Sequence, residues 1–168
     1  DDYVELKVHM IPEVPDNSFA VWKEFSSQIP DSSSSNHYFD CVISIRSIGD
    51  NNNVQIKDGM YPGMTLRSGS DYYPKFYTDA ACTRPLDPSR YSISEASGRD
   101  IKATVNDMSD GETVYMKYQV SVLDDMYDWT TAQAYLDSLG TDVNIYDNDQ
   151  YIGRVPNSVK VWSDEIPE

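Results

Sequence analysis

Thr113-Val114-Tyr115-Met116-Lys117-Tyr118-Gln119-Val120-Ser121-Val122 is the longest alternating stretch in the chain. Val114, Met116, Val120 and Val122 share one phase of a two-residue period, and Lys117, Gln119 and Ser121 share the other. That pattern predicts a half-buried β-strand. Upstream, Cys41-Val42-Ile43-Ser44-Ile45-Arg46-Ser47-Ile48 is a second strong β run. Gly49-Asp50-Asn51-Asn52-Asn53 reads as a turn, since Gly, Asp and Asn tolerate positive φ. Val54-Gln55-Ile56-Lys57 then returns as the expected hairpin partner, stopped by Asp58-Gly59. Nearer the start, Tyr3 to Met10 alternates as a strand until Pro12 and Pro15 break it.

Two segments carry helical spacing. Ser18 to Phe25 is expected to be a short helix with Phe19, Trp22, Phe25 and Ile29 on one face, a strand being the close competitor. Over 128–139, Trp129, Ala132, Tyr135, Leu136 and Leu139 recur at helical intervals between a plausible N-cap, Asp128, and a C-cap, Gly140. A final hairpin is expected from Val143–Tyr146 and Tyr151–Val155 around a turn at 147–149, followed by a last strand, Val159–Trp162. Many short strands with one or two helices point to an α+β fold, mainly antiparallel. Ile43, Ile45, Val114, Met116 and Leu136 are expected in one apolar cluster.

The chain has 168 residues, with 28 acidic against 13 basic side chains, a formal charge of −15 and a pI near 4.3. That length suits one domain with a proper core. Its 13 Tyr, 4 Phe and 3 Trp are too many aromatics for a disordered acidic chain. Like-signed fields make nucleic acid and anionic membrane surfaces poor partners. No apolar run approaches the roughly 20 residues of a membrane span, so no membrane insertion is expected. The opening Asp1-Asp2-Tyr3 has no basic or apolar leader character, so any signal peptide is expected to have been removed or to lie outside this chain.

Chemistry-bearing motifs are scarce. Cys41 and Cys82 form no CxxC pair, and neither His9 nor His37 falls in a zinc-ligand spacing. His37 precedes Cys41 by four residues, with nothing else to support Cys–His catalysis. There is no GxSxG, P-loop or dinucleotide-binding glycine motif. Asp142 and Asn144 begin an EF-type spacing that Tyr146 breaks, so Asp124, Asp125, Asp142, Asp147 and Asp149 read as solvated turns. With 28 acids, any glycosidase-like carboxylate pair can be imagined and none is singled out. No catalytic residue, metal ligand or cofactor is predicted.

Three further stretches, in order, carry a resemblance. They are Tyr61-Pro62-Gly63-Met64-Thr65-Leu66, then Phe76-Tyr77-Thr78-Asp79-Ala80-Ala81-Cys82-Thr83-Arg84-Pro85-Leu86-Asp87, then Gly111-Glu112-Thr113-Val114-Tyr115-Met116-Lys117-Tyr118. Together they resemble the Listeria–Bacteroides repeat, the internalin B-repeat type of module, with its pattern Y-x-G-x-x-L, W-Y-T-D-x-x-C/G-T and G-x-T-L-Y-A-K-W. Phe76 and Tyr118 stand where that pattern has Trp, Lys75 where it usually has Gly, and residues 88–108 look like an insertion. The resemblance spans about residues 41–118. It implies a β-grasp-like core and a non-enzymatic spacer or adhesion module of a bacterial cell-surface protein, extracellular or wall-attached, whose partners are proteins or glycans at the cell surface. Residues 1–168 are then expected to form one domain, with 119–168 as a strand-helix-hairpin elaboration.

The alternative is a carbohydrate-binding module with a stacking platform of exposed rings, for which Tyr72, Tyr73, Tyr77 and Trp162 are the candidates. Packing into a core is the competing role for Tyr72, Tyr73, Phe76 and Tyr77. Independently of the resemblance, Thr78-Asp79 favours a side-chain-capped turn, after which Cys82 and Leu86 would pack against Val114 and Met116. In a secreted protein two cysteines leave one intramolecular pairing, Cys41–Cys82, against the alternative of two separately buried thiols.

Overall fold

The computed structural model describes residues 17–26, 29, 36–60, 64–123, 142–147 and 150–168, with side chains at 36, 123 and 142–158 left aside. Ten strands lie among the described residues: β1 Ser18–Phe25, β2 Asn36–Ile48, β3 Asn51–Met60, β4 Met64–Leu66, β5 Lys75–Tyr77, β6 Tyr91–Ser97, β7 Asp100–Met108, β8 Thr113–Leu123, β9 Asp142–Asp147 and β10 Gln150–Trp162. They build two five-stranded sheets. The first has the order β1-β2-β8-β4, with β5 following β4 along the same edge of β8. The second has the order β6-β7-β3-β10-β9. Every pairing between these strands is antiparallel.

The sheets face each other as a β-sandwich, and the α+β, β-grasp-like expectation is corrected accordingly. Apart from strands, the described elements are two three-residue 3-10 turns, Ser70–Tyr72 and Pro88–Arg90. Ser18–Phe25 is a strand, not a helix, because it pairs residue for residue with β2 from Ser18↔Ile48 to Phe25↔Cys41. That pairing turns Val21, Lys23 and Phe25 inward and leaves Trp22 53% exposed on the outer face. The predicted helix over 128–139 and the strand over 3–10 lie outside the described residues.

A second correction concerns the expected hairpin from Cys41 to Lys57. The turn is present, with Gly49 at φ 76° and Asn53 at φ 52°. However, β2 pairs with β1 and β8, whereas β3 crosses to the opposite sheet between β7 and β10. Polar side chains pin this crossing. The buried Asn51 donates to Ser47 Oγ at 2.8 Å and accepts from Ser163 Oγ at 2.8 Å. The expected insertion over 88–108 is the β6–β7 hairpin of the second sheet. The terminal hairpin forms as expected, with β9 on β10, and the last strand continues β10 alongside β3.

The core lies between the sheets. Phe39, Cys41, Ile43 and Ile45 of β2 and Val114, Met116, Tyr118, Val120 and Val122 of β8 face Val54 and Ile56 of β3 and Ile101, Ala103 and Val105 of β7. Ile43, Ile45, Val114 and Met116 therefore share one cluster as expected, while Leu136 lies outside the described residues. Each buried aliphatic or Met side chain contributes about 1.5–3 kcal/mol, so this layer dominates stability.

Candidate functional site

Inward-facing polar groups converge at one point between the sheets. Lys23 follows Val21 on the inner phase of β1, Asp58 lies between Ile56 and Met60 on β3, and Tyr118 lies between Met116 and Val120 on β8. Lys23 Nζ is 2.5 Å from Asp58 Oδ1, with side chains 3% and 0% exposed. The Tyr118 hydroxyl donates to Asp58 Oδ2, so each carboxylate oxygen has a partner. Cys41 stands opposite Tyr118 in the β2–β8 register. The Lys23 ammonium also lies 6.0 Å from the centre of the Phe25 ring.

Burial sets the protonation of this cluster's neutral members. It pushes the Cys41 thiol up to about 12, opposed by the nearby Lys23 charge. Burial likewise raises the Tyr118 hydroxyl well above its ordinary value, reinforced by Cys41 and Asp58. Both groups therefore keep their protons at neutral pH and Tyr118 remains a donor. An ion pair taken wholly out of water costs heavily in desolvation and is retained only when its remaining hydrogen-bonding capacity is met.

Sequence reasoning missed this cluster. Its signal is a charged residue in phase with an apolar row: Phe19-Val21-Lys23-Phe25 on β1 and Val54-Ile56-Asp58-Met60 on β3. Read locally, Asp58-Gly59 is a strand stop, and Trp22 with Phe25 mimics helical spacing.

The predicted ring platform is partly assembled. Tyr72, Tyr73 and Tyr77 border one shallow depression of about 190 Å³ together with Asp40, Asp71, Lys75, Lys117 and Gln119. That volume is below the roughly 300–1,000 Å³ of a typical small-molecule pocket. Tyr73 is 43% exposed, but Arg67 lies over the Tyr72 ring at 4.0 Å and over Tyr38 at 3.8 Å, so one face of Tyr72 is already covered. Phe76 is core, 4.7 Å from the Tyr91 ring centre. Trp162 is not brought to the tyrosines. It sits on β10 opposite Gln55 and borders a separate depression with Lys57, Ser94, Lys102 and Glu168.

The expected Cys41–Cys82 bridge is not formed, and both residues are free thiols. Cys41 faces the core, whereas Cys82 is half-exposed and feels the charges of Lys117 and Asp40, which share the outer phase of the first sheet. Cys82 occupies a left-handed conformation, φ 53°, in the turn that Asp79 caps. As expected for that turn, Asp79 accepts from the Thr83 and Arg84 backbone N–H groups at 2.9 and 2.8 Å and from Thr83 Oγ1 at 2.6 Å. Leu86 reaches the core as predicted, but Cys82 does not.

Among the described residues no three His, Cys, Asp or Glu side chains gather as a metal site. The Asp124 and Asp125 positions and the side chains at 142–149 lie outside those residues. Among the described residues no helix is long and apolar enough to cross a membrane.

No family model matches the chain, and no curated protein matches it. Two solved structures are similar to it in part. The pilus backbone RrgB from Streptococcus pneumoniae is 16% identical, with 64% of this chain and 47% of that chain covered and a TM-score of 0.44. The RrgA Jo.In complex is 13% identical, with 66% of each chain covered and a TM-score of 0.42. The chain thus matches about half of the first structure and two thirds of the second.

Proposed function

We propose that the chain is a non-enzymatic module of a bacterial cell-surface protein, acting outside the cell as a spacer that holds neighbouring parts apart. One observation carries the reading: the converging polar side chains, Lys23, Asp58 and Tyr118, are spent on one another between the sheets and not on an open cleft. A device that fastens two sheets serves mechanical persistence. The resemblance to the Listeria–Bacteroides repeat supports the same reading. Its alternative of Cys or Gly at the position of Cys82 fits the left-handed φ found there, where Gly carries no steric cost.

A second reading, adhesion through glycan binding, is favoured by the gathering of Tyr72, Tyr73 and Tyr77 round one depression with Asp40 and Asp71. Rings beside carboxylates suit the stacking faces and hydroxyl donors of a sugar. A glycan array probed with the wild-type chain and Tyr73→Ala separates the two. A spacer binds nothing in either form. Binding that Tyr73→Ala abolishes establishes the second reading, and turnover of generic glycosides or esters would overturn both.

A further inference from the structure

We propose that Lys23 and Asp58 condense into an intramolecular amide between Nζ and Cγ, fastening the two sheets covalently. The amine and carboxylate are in contact at 2.5 Å, inside the 2.7–2.9 Å of an ordinary charge-assisted N–H···O bond, and both side chains are sealed from solvent. β1 carries one and β3 the other, so their meeting is enforced by the packing of whole sheets. Such enforced proximity converts a sluggish bimolecular condensation into an intramolecular one.

The step balances without any co-reactant. One proton passes from the ammonium to Asp58 Oδ1 along their contact, leaving a neutral amine beside a neutral acid. The Nζ lone pair then forms the N–C bond at Cγ, and the carbonyl π pair moves onto Oδ2. The Tyr118 hydroxyl already donates to Oδ2 and stabilises the charge that develops there. A second proton passes from nitrogen to Oδ1, the Cγ–Oδ1 bond breaks, and water leaves as the Oδ2 carbonyl reforms. One positive and one negative charge vanish together, so the net charge is unchanged. Exclusion of water from the closed core opposes the reverse hydrolysis.

This inference goes beyond the spacer reading and stands apart from it, since a spacer fastened by an ion pair alone remains a spacer. Intact mass of the denatured wild-type chain, with a tryptic map, tests it. The expected result is a chain lighter by one water and a branched peptide joining Lys23 to Asp58, with the full mass restored in Lys23→Arg. An unmodified wild-type mass would overturn the proposal. So would a loss of water that persists in Lys23→Arg, because Asp58-Gly59 can cyclise to a succinimide through the Gly59 N–H with the same mass change.

Discussion

Cys41 and Tyr118 stand directly opposite each other in the β2–β8 ladder, both fully buried, and Tyr118 passes the contact on to Asp58 of the other sheet. The two neighbouring weak acids are thus held in their protonated forms by burial. A group whose folded pKa lies above its unfolded one binds its proton more tightly when folded. Its contribution is therefore complete below the unfolded value and lost as pH rises. For Cys41 the window runs from 9.0 to about 12. The urea midpoint is expected to fall across that window, and more gently in Cys41→Ala. A midpoint that holds constant there would contradict the buried placement.

Thiol reactivity follows from the same geometry. Iodoacetamide applied to the native chain near neutral pH is expected to label Cys82 before Cys41, because only Cys82 is partly accessible. Denatured without reductant, the chain should present two thiols. Finding none would restore the bridge.

The turn at Asp79 responds to acid. Bonds from the Thr83 hydroxyl and then the Arg84 backbone N–H hold this exposed carboxyl below its ordinary 3.8. A depressed folded pKa means stability present above 3.8 and lost as pH falls below it. Asp79→Ala is expected to lower Tm near neutrality and to converge with the wild type in strong acid. A difference that is the same at both extremes would remove Asp79 as the cause.

Strand phase on β1 and β8 is testable by truncation. Met116→Ala, at a fully buried site, is expected to cost about 2–5 kcal/mol. Trp22→Ala removes a larger side chain from an exposed site and is expected to stay within about 0.5 kcal/mol. The opposite order in urea denaturation would show that β1 buries its other face.

Part of this architecture was legible beforehand. β8 and the β9–β10 hairpin announce themselves through alternation and turn residues within one short window. The Asp79 turn does so through side chains that bond to backbone four and five residues on. The crossing after β2 was not legible. Gly49 to Asn53 states that the chain reverses, but whether the next strand joins the same sheet or the facing one depends on β7 and β10. Lys23 and Asp58 were hidden for a related reason. Each looks like a flaw in an apolar row until its partner, 35 residues away in sequence, is set against it.

A covalent Lys23–Asp58 link between the sheets would carry a mechanical signature. Pulling on a polyprotein of this chain by atomic force microscopy tests it most directly. With the bond present, the loop from 23 to 58 stays closed under load. Each unfolding event then releases a contour length short by the 35-residue separation of Lys23 and Asp58, and Lys23→Arg restores the missing length. Equal contour lengths for wild type and Lys23→Arg would mean that no such link forms.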